Sequence, residues 1–141
     1  MDFKEGVPLS NPLSNPLSNA VKNALAVLDR HIIALNNHDE EALQATLHFP
    51  HIRLSAAELK MWPTPESYFA DFKKRAGGAW HHSEFHDIKV LAESDSKVHL
   101  DAEIIRYNHS NEIISRFRSL WVVTKQDAHW AAKLRSSFAA Q

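Results

Sequence analysis

Three stretches in the last third of the chain alternate apolar and polar residues with a period of two, and short polar breaks separate them. Lys97–Tyr107, 113–125 and 129–138 read as strands, with two-residue turns at Ser110-Asn111 and Asp127-Ala128. Those turns set the register, because directly paired residues share a face of the sheet. One face then collects Val98, Leu100, Ile104, Phe117, Trp121, Val123, Trp130, Ala132, Leu134 and Phe138. In its middle, Ala102, Ser119 and Ser136 fall side by side on three neighbouring strands. A row of small residues framed by Phe117, Trp121, Leu134 and Phe138 leaves room for a ligand. The pattern predicts a curved antiparallel sheet with a pocket over its concave face.

At 141 residues the chain suits one domain with one core. A formal net charge of −1 gives no bulk field for nucleic acid or an anionic membrane, so neither is expected as a partner. There is no cysteine, which excludes disulfides and thiol chemistry and fits a reducing cytoplasm. No apolar run approaches membrane length, and the first residues lack a signal-peptide core.

Residues 8–19 repeat Pro-Leu-Ser-Asn three times. Proline at every fourth position suits neither a helix nor a central strand. Residues 1–18 are therefore expected to form a flexible tail, and 19–141 the single domain. A competing reading makes the tail a swapped arm anchored by Leu9, Leu13 and Leu17.

A first helix is predicted from Ala20 to Asn36, with Val21, Ala24, Leu25, Leu28, Ile32 and Leu35 in one stripe and Ser18 or Asn19 as cap. Asp39 caps a second, from Glu40 to Leu47, stopped by Pro50. Residues 51–55 and 58–62 suit a small hairpin. Thr64-Pro65-Glu66 starts a third helix that ends at Gly77-Gly78. A strand over 83–93 precedes the three already named. Helices segregated from an antiparallel sheet make an α+β domain.

This order, with the Phe49-Pro50-His51-Ile52-Arg53 junction, the strand entry at Trp80 to Ser83 and the terminal His129-Trp130 and Ser136-Ser137-Phe138, resembles the nuclear transport factor 2-like superfamily, and within it the SnoaL-like proteins. The resemblance implies a cystatin-like cone: three N-terminal helices held in a strongly curved antiparallel sheet of four long strands plus a short hairpin. It also implies a pocket inside the cone and often a dimer through the sheet. Members include isomerases, dehydratases and hydrolases, and others that only bind or oligomerise.

Enzymes of that kind need a proton acceptor inside a dry cavity. The register puts Asp101 and Glu103 on the outer face, with Glu103 opposite Arg118 as a surface ion pair, so the inner face of the last three strands holds no carboxylate. Arg106 falls on the inner parity. If strand 83–93 runs without a bulge, His82, Glu84 and His86 share that face; a bulge substitutes Ser83 and Phe85. The expected catalytic set is His82 or His86 as base and Arg106 as anion stabiliser, near Glu84. The competing reading is a structural Glu84–Arg106 rim pair with solvated histidines. Trp62 and Tyr68 are wall candidates. With Glu84, Ala102, Phe117, Ser119, Trp121 and Ser136 they complete the expected substrate-binding set.

Ten histidines invite a metal reading, yet on a strand His82 and His86 stand about 13 Å apart. No metal-ligand spacing appears, so neither metal nor cofactor is expected. Lys73-Lys74-Arg75 suits a solvated helix end. On the outer sheet face Ile105, Tyr107, Ile114, Leu120 and Val122 stand among Arg116, Arg118, Lys133 and Arg135, a mixture that suits a homodimer interface. The expected function is binding of a small, partly apolar organic molecule, with isomerase, dehydratase or hydrolase chemistry. The alternative is a non-catalytic module with a vestigial pocket.

Overall fold

The computed structural model describes residues 17–76 and 78–139. Apart from Leu17 and Ser18, the Pro-Leu-Ser-Asn repeats lie outside the described residues.

The chain runs α1 (Asn19–Asn36), α2 (Glu40–Gln44), β1 (Leu47–Ser55), β2 (Glu58–Trp62), α3 (Pro65–Ala76), β3 (His82–Glu93), β4 (Lys97–Tyr107), β5 (Ile113–Gln126) and β6 (His129–Ser137). The Ser18 hydroxyl caps α1 by accepting from the Val21 N–H at 3.1 Å. Asp39 does the same for α2 through Ala42. The Thr64 hydroxyl accepts from the Ser67 N–H and starts α3.

The strands form one six-stranded sheet in the order β2-β1-β6-β5-β4-β3. Every pairing is antiparallel except β1 with β6, which is parallel. The expected hairpin is thus part of the main sheet. The second helix is shorter than expected, because Leu47 already belongs to β1. Pro50 sits inside β1 rather than ending a helix. Proline cannot donate to a ladder, and β1 accommodates it where its register against β6 breaks, between Leu47 and Ile52.

The β4–β5 register agrees with the sequence reading from Lys97↔Thr124 through Ala102↔Ser119 to Arg106↔Ser115. Two other ladders depart from it by one residue. In β3 the register slips between His86 and Lys89, with Asp87 at φ 50°. In β6 it slips at Lys133, which is left unpaired between Ala132↔Val123 and Leu134↔Val122. Each is a β-bulge, and a one-residue slip exchanges the faces of everything beyond it.

α1 lies across the inner face of the sheet. Val21, Ala24, Val27 and Leu28 pack there with Leu100, Ala102, Trp121 and Val123 in one buried core. The small residues Ala102 and Ser119 are therefore covered: both are fully buried beneath that core.

Candidate functional site

Beside this core, between α1, α3 and the inner face of the sheet, is a cavity of about 300 Å³. Ile32 and Leu35 from α1, Phe72 from α3, Trp80, Phe85 and Trp121 give it an apolar, largely aromatic wall. The polar lining comes from His31, Arg53, Arg106 and Arg135, with Lys60 and Glu58 from β2.

The three arginines reach the cavity for different reasons. Arg106 has inner parity on β4, opposite Ser83, and its guanidinium lies 4.8 Å from the centre of the Phe117 ring. Arg53 follows His51 by two on β1 and precedes Ser55 by two, and all three are buried. Its guanidinium stacks 5.8 Å from Trp62. Arg135 is turned inward by the Lys133 bulge, which pairs it with Trp121 instead of placing it on the outer face. It lies 5.1 Å from the Trp121 ring centre and donates to the Tyr68 hydroxyl at 3.2 Å.

His31 is 3% exposed and stands edge-on to Trp121 at 5.1 Å. Its tautomer follows from its neighbours. The Thr46 hydroxyl donates to the Leu43 carbonyl at 2.7 Å, so toward His31 Nδ1, 2.9 Å away, it must accept. Nδ1 therefore carries the hydrogen, and Nε2 holds the lone pair. Burial first, then the Arg135 charge, push the His31 pKa down to about 3, so the ring is neutral. His51, fully buried, donates from Nδ1 to the Ala132 carbonyl at 3.1 Å and stacks on Trp62. Burial, then Arg135, then His31 push its pKa down to about 2. The Trp121 Nε1–H is buried and has no hydrogen-bond partner among the described residues.

Of the expected site residues, the structure brings Arg106, Tyr68 and Trp121 to the cavity. Trp62 stands behind Arg53 and Phe117 beneath Arg106. Ala102 and Ser119 are core. His82, Glu84 and His86 lie on the opposite face, because the β3 bulge carries Ser83 and Phe85 inward in their place. His82 stacks on Tyr107 at 4.7 Å, Glu84 accepts from the Tyr107 hydroxyl at 2.6 Å, and His86 faces Glu103 at 3.4 Å. Glu84 and Arg106, expected as a rim pair, stand on opposite faces of the sheet. Ser136 and Leu134 also turn outward, past the Lys133 bulge, and Phe138, beyond the end of β6, is 76% exposed. The outer ion pairs run diagonally: Arg116 meets Glu103 at 3.0 Å, and Arg118 meets Asp101 at 2.6 Å and Asp87 at 3.1 Å.

Sequence reasoning missed His31, Arg53 and Arg135. His31 was detectable, since it follows Leu28 by three and Ala24 by seven on the buried side of α1. Arg53 was detectable only by accepting an inverted alternation, with Arg53 and Ser55 inside and Leu54 exposed. Arg135 carried no local signal.

Among the described residues, no three His, Asp or Glu side chains are grouped to hold a metal ion, and no helix is long and apolar enough to cross a membrane.

By sequence, no protein-family model and no curated protein matches the chain. Solved structures match its fold. A cystatin-like protein of unknown function from Nostoc punctiforme superposes with a TM-score of 0.70, over 85% of this chain and 90% of its own, at 11% identity. An NTF2-like protein from Cytophaga hutchinsonii reaches 0.68, over 87% and 100%, at 20% identity. A candidate ketosteroid isomerase from Shewanella frigidimarina reaches 0.64, over 82% and 94%, at 12% identity. Identities this low speak for fold alone. The chain has the cystatin-like, nuclear transport factor 2-like fold implied by its element order.

Proposed function

We propose that this protein binds a small, partly apolar organic anion in the cone cavity, as a SnoaL-like protein of the cytoplasm. The observation that carries the reading is one cavity of about 300 Å³ with an aromatic wall and three lining arginines. The volume sits at the small end for ligand sites, which suits a single ring with short substituents. Aromatic faces take the ring, while guanidinium groups take a carboxylate through paired N–H donors. Three arginines line the cavity with Lys60, which also meets Asp71 at 3.5 Å, and with the carboxylate of Glu58, a set of N–H donors that suits an anion.

Isomerase, dehydratase or hydrolase chemistry is the expected activity in such a site. A purely binding role is the second reading. It is favoured by the lack of any carboxylate on the inner faces of β4, β5 and β6 among the described residues.

The partner is a second copy of the chain on the outer sheet face. Support comes from Leu59 and Met61, 68% and 61% exposed, beside Leu54 on the outer face of the β1–β2 ladder. Ile105 and Val122, expected to stand open there, are already buried within one copy. Ile114, also expected there, is 41% exposed, so the proposed interface takes in Ile114 as well as the β1–β2 face.

Thermal-shift titration tests the ligand class. Benzoate, phenylacetate and phenylpyruvate should raise the melting temperature, and their amides should do so far less. Equal response to acid and amide, or none to any compound, sinks the reading.

A further inference from the structure

We infer that His31 is the proton acceptor of this cavity, and that the ligand it serves is an aryl or alicyclic keto acid with a C–H beside the carbonyl. The inference rests on the proposed binding of a small organic anion and names the chemistry done there.

Three observations carry it. First, His31 lines the cavity and is locked as the Nδ1–H tautomer by the Thr46 and Leu43 chain, so its lone pair is on Nε2. Second, His31 and the Arg135 guanidinium each stand 5.1 Å from the Trp121 ring centre and line the same cavity. The Arg135 charge acts on His31 directly and both line the cavity, so a ligand held there meets a base and a cation together. Third, Arg53 and Arg106 line the same space and supply further cationic groups for a carboxylate.

The step balances without a cofactor. The C–H bond beside the carbonyl breaks and its proton goes to Nε2. The electron pair becomes the C=C bond, and the carbonyl π pair moves to oxygen, where Arg135 stabilises the enolate. The imidazolium then returns a proton to carbon, or to the enolate oxygen to release the enol.

The same cation that stabilises the enolate weakens the base while the site is empty. The charged groups lining the cavity around His31 are Arg135, Arg53, Arg106, Lys60 and Glu58, with buried His51 close by. A carboxylate seated among the arginines opposes their effect, so His31 is a stronger base with substrate bound than without.

Phenylpyruvate is the probe, with two readouts: its thermal shift reports binding, and proton NMR in D2O reports exchange of its benzylic hydrogens. Wild type should exchange them at least tenfold faster than buffer. At subsaturating phenylpyruvate the enzymic rate should stay level from pH 8 to 5, because His31 in the free protein gains a proton only near about 3. A solvated histidine base would lose activity below its ordinary value of about 6.5. His31→Gln should bring exchange to the buffer rate while phenylpyruvate still shifts the melting temperature. Thr46 is buried and acts by positioning, so Thr46→Val should lower exchange at unchanged binding, and Thr46→Ser should restore it. Binding without exchange in wild type, or full exchange in His31→Gln, overturns His31 as the base and leaves the binding reading intact. No thermal shift with phenylpyruvate or any other panel acid overturns both.

Discussion

Two neutral histidines held in the interior make stability depend on pH in a defined direction. His31 and His51 are 3% and 0% exposed, with pKa values pushed down to about 3 and about 2. In the unfolded chain both return to about 6.5. A base with a depressed folded pKa contributes full stability above its unfolded pKa and loses it as pH falls toward the folded value, because only the unfolded state takes the proton. Between pH 8 and pH 5 that loss is about 2 kcal/mol for each ring, or about 4 kcal/mol for the two. Against a typical total of about 5–15 kcal/mol, this is a large share. His48 and His99, also lowered by partial burial, act in the same direction. Urea titrations at pH 8, 6.5 and 5 measure the loss. His31→Gln isolates one ring, and its loss over the same range should be smaller than that of wild type by about 2 kcal/mol. A wild type that loses under about 1 kcal/mol over this range, or a His31→Gln protein that loses as much as wild type, would refute the burial argument.

Arg135→Met should weaken benzoate and phenylpyruvate about 10- to 100-fold by calorimetry, since a hydrogen bond to a charged group contributes about 1.5–3 kcal/mol. Ser119→Leu should cost about 1–3 kcal/mol in urea unfolding and spare ligand affinity, because Ser119 is packed core and not cavity wall. Loss of binding without loss of stability would put Ser119 in the cavity after all. Leu59→Glu should shift a dimer toward monomer in sedimentation at micromolar concentration, whereas an unchanged sedimentation coefficient would remove the outer β1–β2 face as the interface. Deleting Lys133 should give a folded protein with a regular β5–β6 ladder that still prefers acids to amides in the thermal-shift assay, because Leu134 keeps its place opposite Val122 and Arg135 its place opposite Trp121; loss of that preference would show that the bulge does more than set the register.

Much of the fold was legible because it is set locally. The cap at Ser18, the stripe along α1, the Thr64-Pro65 start and the Asp127-Ala128 turn are short-range signals, and each produced its element. The β4–β5 register was readable along ten residues, although the expected two-residue turn at Ser110-Asn111 is a longer connection, Asn108 to Glu112, whose offset is made up by the slip at Tyr107. The parallel docking of β1 on β6 was not readable, since no turn joins those strands and nothing in either announces the other.

The site was less legible than the fold because its identity hangs on two single residues. Without the slip after His86, histidines and Glu84 would face the cavity; with it, Ser83 and Phe85 do. Without the slip at Lys133, Leu134 and Ser136 would line the floor; with it, Arg135 stands over Trp121. Period-two alternation carries no information about where it is interrupted, so every residue beyond an unseen bulge is assigned to the wrong face. Both bulges have visible stabilising contacts once the structure is known. Asp87 at positive φ accepts from Arg118, and the Lys133 ammonium donates to the Pro50 carbonyl at 2.8 Å across on β1. These are long-range partners, and in sequence they look like ordinary surface charges. The bulges exchange a polar histidine–glutamate lining for an aromatic one on β3, and an apolar lining for a cation on β6. A cavity with those exchanges binds an anion against an aromatic wall. The same fold with straight strands would have kept Arg53 and Arg106 but set Glu84 among them and turned Arg135 outward, a pocket with less excess positive charge and without the cation that acts on His31.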